Sequence, residues 1–323
     1  MDKIEVTTWL ATDEATFAWR FRSLFGEFAT LKFLSGESPV FDAISKQNNI
    51  VFLSLHDNGT EPSYLEGLVE ALMKSDENNK VTLLFELYPD FDLNEMIKLI
   101  NEDPSLIKKY SPFSENLINL IKTLGKLKEQ YGERFEIMLI DIPAVEKLKF
   151  TKNLLKLAGK LPDIELDSEL TKRINVSEEE FERMSTKQKI EIINACNDIK
   201  KTIEDKSINL LLFSFSRDIN DKDIEDILCI SQSFHLNRNI KIVENVEKIY
   251  NEYKDKDGYN IIFYGGLAHG FEILKKLKEV KIPQRVTAYL PIANITAAHK
   301  SLNSSTSKEK LAEINALVNA RRG

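Results

Sequence analysis

Short apolar runs that alternate with helical patterns are the feature that most constrains how this chain of 323 residues can fold. Continuous apolar runs of roughly four to eight residues are typical of strands that are buried on both faces of a sheet. Between them, apolar side chains recur three or four residues apart, which predicts helices. The alternation predicts an α/β fold: an open, mostly parallel sheet with helices on both faces. The predicted strands lie at 50–53, 81–85, 135–140, 208–215, 240–243, 260–264 and 285–290.

Two stretches depart from this alternation. Residues 12–34 carry aromatic and leucine side chains at helical spacing, which predicts a helix before the first of these strands. Residues 145–207 are rich in Lys and Glu and contain no strand-like run, so we expect a helical insertion, with a capping box at Ser177 and Glu180. The predicted segments are 1–49 (helical), 50–144 (first half of the α/β domain), 145–207 (insertion), 208–292 (second half) and 293–323 (tail with a short helix).

Charge and cysteine usage exclude several classes of protein. With 44 Lys and Arg against 51 Asp and Glu, the net charge of −7 disfavours a nucleic-acid binder. Cys196 and Cys229 are too few for a disulfide framework and indicate free thiols in a reducing compartment. The sequence has no apolar run of about 18 residues and no classical signal peptide at its start. We therefore expect no membrane span, and either a cytoplasmic location or secretion without a classical signal peptide.

Polar residues that directly follow the predicted strands are the candidates for a binding site, because ligands of open α/β sheets bind beyond the carboxyl ends of the strands. His56 follows the first predicted strand, and Glu86 follows the second. Gly265, Gly266 and His269 follow the strand at 260–264. Each histidine alone is explained as a hydrogen-bonded loop residue, whereas their shared position with Glu86 indicates a site.

These residue types allow two chemistries. Two imidazoles and a carboxylate can hold a divalent metal ion, so His56, His269 and Glu86 are candidate metal ligands. Alternatively, one histidine acts as a general base with Glu86 as its partner, which makes the same three residues candidate catalytic groups. A Gly-Gly pair before a helix can present free backbone N–H groups to an anion, so Gly265 and Gly266 are candidate anion-binding residues.

Asp141 and Arg217 are weaker candidates for binding a substrate or an anion. Asp141 follows the predicted strand at 135–140 and precedes Ile142-Pro143, a pattern that favours a turn or a cap. Arg217 stands beside Asp218, which favours a surface ion pair. The sequence lacks the phosphate-binding loop, the dinucleotide fingerprint and the G-x-S-x-G elbow of α/β-hydrolases.

The arrangement of His56, Glu86 and Gly266-Leu267-Ala268-His269 resembles the superfamily of erythromycin esterases, ChaN haem-binding lipoproteins, TraB proteins and TIKI metalloproteases. A related domain of the Pasteurella multocida toxin belongs to the same group. Its members have a histidine shortly after the first core strand, a glutamate at the end of the next strand, and a Gly-x-x-His near the C-terminal end. This chain departs from that pattern at Leu53-Ser54-Leu55-His56, which lacks the glycine and the glutamate of the first motif.

The resemblance implies a hydrolase of an ester or amide, acting on a small molecule or a peptide, with or without a divalent metal ion. The departures favour a second hypothesis, a non-catalytic toxin or effector domain that binds a protein partner through 145–207. A third hypothesis is carriage of haem or a metal through one histidine.

Overall fold

The structure is a computed structural model that describes residues 4–9, 29–34, 49–54, 61–110, 114–161, 164, 167–213, 221–253, 256, 258–266 and 286–291. The bounds and the descriptions that follow refer to these residues. His56, Arg217 and His269, together with the tail after 291, lie outside them.

Seven strands of the described residues form one open sheet in the order β2-β1-β7-β3-β6-β4-β5. The pairs β1–β2, β1–β7, β3–β7, β3–β6 and β4–β6 are parallel. An α/β fold with a largely parallel sheet, as the apolar runs predict, is therefore confirmed. The strands are β1 Ile4–Trp9, β2 Ala29–Leu34, β3 Asn49–Ser54, β4 Lys80–Phe85, β5 Phe135–Leu139, β6 Tyr259–Gly266 and β7 Val286–Pro291.

Helices make up most of the remaining described residues. A 3₁₀ turn, Gly132–Arg134, leads into β5, and Gly132, which directly follows the helix that ends at Tyr131, has the left-handed φ of 57° with which glycine commonly ends a helix. The helices are α1 Glu61–Ser75, α2 Leu93–Glu102, α3 Pro104–Tyr110, α4 Ser114–Tyr131, α5 Ala144–Ala158, α6 Ser168–Arg173, α7 Glu178–Arg183, α8 Thr186–Phe213 and α9 Asp221–Tyr253.

The strands predicted at 50–53, 81–85, 135–140, 260–264 and 285–290 are confirmed as β3, β4, β5, β6 and β7, within a residue or two at each end. The burial expected of such apolar runs is most complete in β4 and β6, which are neighbours in the sheet. From Val81 to Phe85 and from Asn260 to Gly266 every residue is buried, which is what a strand covered on both faces requires. These two strands therefore provide a rigid support for whatever follows them.

Two predicted strands and part of one predicted helix are wrong. Residues 208–213 continue α8, and 240–243 lie inside α9, so neither INLLLF nor IKIV is a strand. A short apolar run cannot distinguish a strand from part of a helix; here 208–213 form the last part of α8, and α9 extends on both sides of 240–243. In the predicted helix over 12–34, Ala29–Leu34 is instead β2, because Leu31 and Phe33 also fit the alternation of a strand.

The chain divides into two compact units. Unit 1 comprises 1–86, 122–138 and 243–323 and contains the sheet, whereas unit 2 comprises 87–121 and 139–242 and is helical. The described part of 145–207 contains α5 to α8 and no strand. The domain boundaries predicted from the sequence were drawn on different grounds and stay predictions. No helix of the described residues is long and apolar enough to cross a membrane.

Helix ends in unit 2 are closed by side chains from other helices as well as from their own. Asp92 caps α2 by accepting hydrogen bonds from the backbone N–H groups of Asn94 and Glu95. Glu95 in turn accepts hydrogen bonds from the N–H groups of Thr186 at 2.9 Å and Lys187 at 3.3 Å, at the start of α8. These contacts satisfy amides that have no partner within their own helix, and they fix α8 against α2.

Candidate functional site

The carboxyl ends of β3, β6 and β4 lie side by side in the sheet. In the parallel pairing, Ser54 of β3 is opposite Gly266 of β6, and Phe85 of β4 is opposite Tyr264. Residues that follow these three strands therefore leave the sheet at one edge, the position at which ligands of open α/β sheets bind. Glu86, Gly265 and Gly266 are the described residues of this strand-edge site.

The carboxylate of Glu86 is held against the backbone of β6. Its Oε2 accepts a hydrogen bond from the N–H of Gly266 at 2.8 Å. The backbone N–H of Glu86 donates to the carbonyl oxygen of Tyr264 at 3.3 Å, which extends the β4–β6 ladder by one residue. Glu86 is half-buried. A carboxylate fixed by a backbone amide has a defined position at the sheet edge and remains partly accessible to solvent.

Glycine is required at position 265 because neighbouring side chains lie where a Cβ would be, and not because of its backbone conformation. The described glycines with a positive φ are Gly132 and Gly258, at 57° and 75°. A Cβ on Gly265 would lie 2.8 Å from Oε2 of Glu86 and would overlap the ring of Phe263. Since Phe263 is fully buried, its ring has little freedom to move away. The space that a side chain at position 265 would need is therefore taken by the ring of Phe263 and the carboxylate of Glu86.

The glycine pair differs from its sequence-based interpretation. Gly265 and Gly266 are the last two residues of β6 and do not form a turn. The N–H of Gly266, expected to face an external anion, donates to the carboxylate of Glu86. Polar residues after the strands were the correct signal that brought these three residues together. Nothing in the sequence indicates that this N–H binds the carboxylate of Glu86 and not an external anion.

Of the residues predicted for this site, the structure brings together Glu86, Gly265 and Gly266. His56 comes two residues after β3 and His269 three residues after β6, outside the described residues, so their roles stay predictions. Among the described residues no group of three or more His, Cys, Asp or Glu side chains is arranged to hold a metal ion. A metal at this edge would need the imidazoles of His56 and His269 in addition to Glu86, a donor set that suits zinc.

Asp141 belongs to unit 2, where its backbone N–H donates to the carbonyl oxygen of Leu87, the residue after Glu86, at 3.1 Å. Its carboxylate is only 3% exposed and pairs with the guanidinium of Arg238, with Nε–Oδ1 at 2.8 Å and Nη2–Oδ2 at 2.5 Å. It also accepts a hydrogen bond from the N–H of Ile142 at 2.7 Å, in keeping with the turn role that its Ile-Pro context favours. A bidentate pair of this kind positions the chain segment that carries it. The binding role of Asp141, like that of Arg217 outside the described residues, stays a prediction.

Unit 2 also contains a group of residues that the sequence analysis did not single out. Lys147, Phe150, Lys200, Glu204 and Phe234 come from α5, α8 and α9, and we call them the lysine cluster. Lys147 is 6% exposed although lysine is among the residues that are least often buried. The only signal in the sequence is its place among apolar neighbours in Ala144-Val145-Glu146-Lys147-Leu148, which also fits an ordinary amphipathic helix.

Comparisons of the chain with protein-family models, curated proteins and solved structures found no match.

Proposed function

We propose that the chain is a hydrolase of an ester or amide in which His56, Glu86 and His269 form the catalytic group. One observation carries the proposal: a half-buried carboxylate is fixed by the N–H of Gly266 where β3, β6 and β4 end together. His56 and His269 follow two of those three strands by two and three residues. The resemblance to erythromycin esterases and their relatives, which rests on the same residues, supports this assignment.

The proposed chemistry assigns a distinct task to each side chain. One imidazole takes a proton from the attacking water, and the other donates a proton to the leaving oxygen or nitrogen. Glu86 orients an imidazole and balances the positive charge that it acquires. Because Gly266 binds Oε2, the carboxylate does not need to reorganise as this charge develops. With a divalent metal bound, His56, His269 and Glu86 would hold it, and it would polarise the substrate carbonyl.

Substitution of the three residues tests the proposal. We expect His56→Gln, Glu86→Gln and His269→Gln each to lower kcat/KM at least about 100-fold on a responsive member of a panel of aryl esters and aryl amides. Matched controls are His299→Gln, from the C-terminal tail, and Glu70→Gln, whose carboxylate pairs with Lys74 on α1. Wild-type rates in all three variants, with the same substrate, would contradict the proposal.

A glycine variant tests the geometry itself. Gly265→Ala places a methyl group 2.8 Å from Oε2 of Glu86 and 2.4 Å from the ring of Phe263, so both the carboxylate and the ring have to shift while the charge of Glu86 is kept. We expect kcat to fall about as far as in Glu86→Gln, with the helical circular dichroism signal unchanged. Gly159→Ala is the control, because its new Cβ would lie 3.5 Å from the carbonyl oxygen of Leu155 and 3.8 Å from that of Lys156, both ordinary contact distances. Activity should be kept in this variant. Full activity in Gly265→Ala would show that the position of Glu86 is irrelevant.

Elemental analysis of the purified protein separates the two chemistries. A divalent metal present in one equivalent, and lost in His56→Gln and His269→Gln, would favour the metal-dependent reaction. An active protein that contains no metal would favour the reaction in which histidine is the base.

A second candidate is a binding domain that has lost the hydrolase activity. Two observations favour it. The N–H of Gly266 is engaged by Glu86. Leu53-Ser54-Leu55-His56 lacks the glycine and the glutamate found in the first motif of the superfamily that the chain resembles. The partner would then be a protein that contacts the helices of 145–207. Turnover of any substrate that depends on Glu86 would exclude this candidate.

A further inference from the structure

β5 is a terminal strand of the sheet formed by the described residues. The strand order ends at β4-β5, so one side of Phe135–Leu139 faces β4 and the other side is the edge of the sheet. On such an edge, alternate residues direct their backbone N–H and C=O groups outward, where a further strand can bind them. The outer side of β5, which we call the β5 edge, is therefore a surface on which another strand can dock.

The apolar side chains of β5 are more accessible to water than those of the strand beside it. Ile137, Met138 and Leu139 are half-buried, whereas every residue from Val81 to Phe85 in β4 is buried. Three successive apolar residues thus retain contact with water at the β5 edge. Pairing with another strand would remove part of this apolar surface from water, which favours association.

The sequence of β5 contains none of the residues that usually protect an edge strand from such pairing. Proline, glycine and lysine are the common protective residues, and the strand reads Phe-Glu-Ile-Met-Leu. Its one charged side chain, Glu136, accepts hydrogen bonds from the hydroxyl groups of Thr82, at 3.5 Å, and Tyr253, at 3.2 Å. These three residues all belong to unit 1, so the only charge of the strand is already bound within the unit.

We propose that two copies of the chain associate through the β5 edge, with their β5 strands antiparallel about a two-fold axis and their sheets joined into one. A second copy offers the same preformed edge, so neither partner has to be ordered on binding, whereas a free peptide would lose conformational entropy. Two-fold dimers are also the commonest assemblies of identical chains. This association does not depend on the hydrolase activity proposed for the strand-edge site.

The sequence of β5 favours one register for this pairing. A two-fold axis perpendicular to the sheet keeps each side chain on its own face, so the axis has to pass beside a residue that lies opposite its own copy. An axis at Glu136 would oppose two carboxylates directly, which is unfavourable. An axis at Ile137 lets all five residues of each strand pair. Ile137 then lies opposite its copy, Glu136 opposite Met138, and Phe135 opposite Leu139, so no charge of the strand directly opposes another.

Sedimentation equilibrium of the full-length protein tests the association. We expect the wild-type protein at roughly 100 μM to sediment with twice the mass of the chain. Ile137→Lys places two ammonium groups opposite each other on the axis and should raise the Kd of the dimer on the order of tenfold. Leu236→Lys is the matched control, because Leu236 is an apolar residue that is 59% exposed on α9. This control should leave the Kd unchanged.

Cysteine cross-linking tests the register and does not depend on the folding of Ile137→Lys. The background is Cys229→Ser, which removes the exposed native thiol. Ile137→Cys puts two thiols opposite each other, within disulfide distance. In Leu139→Cys, the matched control on the same face of β5, the two thiols are four residues apart along the strands, roughly 13 Å. We expect mild oxidation to form the covalent dimer at least about tenfold faster in Ile137→Cys.

Three results would overturn the inference. A wild-type protein that stays monomeric at this concentration would leave the β5 edge to another occupant, such as an extended peptide of a different protein. A dimer that Leu236→Lys disrupts and Ile137→Lys does not would place the contact on α9. Equal cross-linking rates in Ile137→Cys and Leu139→Cys would exclude the two-fold pairing about Ile137.

Discussion

Two buried charged residues of unit 2, Asp141 and Lys147, have opposite surroundings. Asp141 is neutralised by two contacts to the guanidinium of Arg238 and by a backbone N–H. Nζ of Lys147 instead lies over the rings of Phe150 and Phe234, and the charges of Lys200 and Arg238 act to lower its pKa. A buried ion that is fully hydrogen-bonded fixes the conformation around it, whereas one without a partner lowers the stability of the fold. Natural chains keep such costly groups chiefly where they have a function.

Removal of the charge of Lys147 should therefore stabilise the protein. The pKa of Lys147 is lowered in the folded state, so below about pH 8 the residue is charged in both states and its cost is complete. Between this pKa and the ordinary value of 10.5 only the folded protein releases the proton, and the cost disappears. We expect Lys147→Met to raise the free energy of unfolding by roughly 1–3 kcal/mol at pH 7, and by much less near pH 10.

Urea unfolding at the two pH values measures this difference. Lys172→Met is the matched control, and at this exposed position the free energy of unfolding should change by less than about 0.5 kcal/mol at either pH. An equal effect of Lys147→Met at both pH values would show that packing, and not charge, causes it.

At the scale of elements, hydrophobic patterns predicted the secondary structure correctly where they fitted only a strand or only a helix. They failed where the same residues fitted both periods. The runs at 81–85 and 260–264 are bounded by turn residues and were recognised as strands. Of the runs at 208–215 and 240–243, residues 208–213 end α8 and 240–243 lie inside α9, because their isoleucine and leucine residues fit the period of a helix as well as that of a strand. β1, Ile4–Trp9, was missed because its Thr and Glu residues interrupt the apolar run.

The strand-edge site followed from the same reasoning, because the end of a strand is a local property. Glu86 and Gly266 were found as residues that terminate runs, although 180 residues separate them. The lysine cluster has no such local signal. Lys147, Lys200 and Phe234 are each unremarkable on an amphipathic helix, and only the packing of α5, α8 and α9 brings them together.

The capping box of α7 was also predicted from local sequence, and its contribution can be measured. Oγ of Ser177 accepts from the N–H of Glu180 at 3.1 Å, and Oε2 of Glu180 accepts from the N–H of Ser177 at 2.7 Å. The hydrogen bonds from Ser177 lower the pKa of Glu180. We expect Ser177→Ala to reduce the free energy of unfolding by about 1 kcal/mol, because a helix of six residues depends strongly on its cap.

Chemical denaturation of this variant can be compared with Ser168→Ala, at the first residue of α6, where the cap is Asp167. The control should have a much smaller effect. A loss in Ser168→Ala as large as in Ser177→Ala would mean that the capping box is not the cause.

At the scale of the whole molecule, two helices continue from residues of one unit into residues of the other. α4 passes from unit 2 to unit 1 at 121/122, and α9 does so at 242/243. Helix formation is cooperative along the chain, so disruption on one side of such a junction removes hydrogen bonds on the other. The two units therefore should not unfold independently.

We expect urea unfolding followed by tryptophan fluorescence to coincide with unfolding followed by helical circular dichroism. Both tryptophans, Trp9 and Trp19, belong to the first segment of unit 1, whereas helices α5 to α8 belong to unit 2. Lys241→Pro, beside the junction in α9, should separate the two transitions, and Lys241→Ala should not. Separate transitions in the wild-type protein would show that the helices do not couple the units.

The strand order also determines when the sheet can form during synthesis of the chain. β3 pairs with β6 and β7, the last two strands of the sheet to be made, and β6 separates β3 from β4. A nascent chain that has reached α9 therefore carries β3 with both edges unpaired, which favours association with other chains or with chaperones. The contact between Glu86 and Gly266 cannot form before β6 has left the ribosome. Any activity of the strand-edge site is thus acquired late in translation, and a chain truncated before Gly266 would never have it.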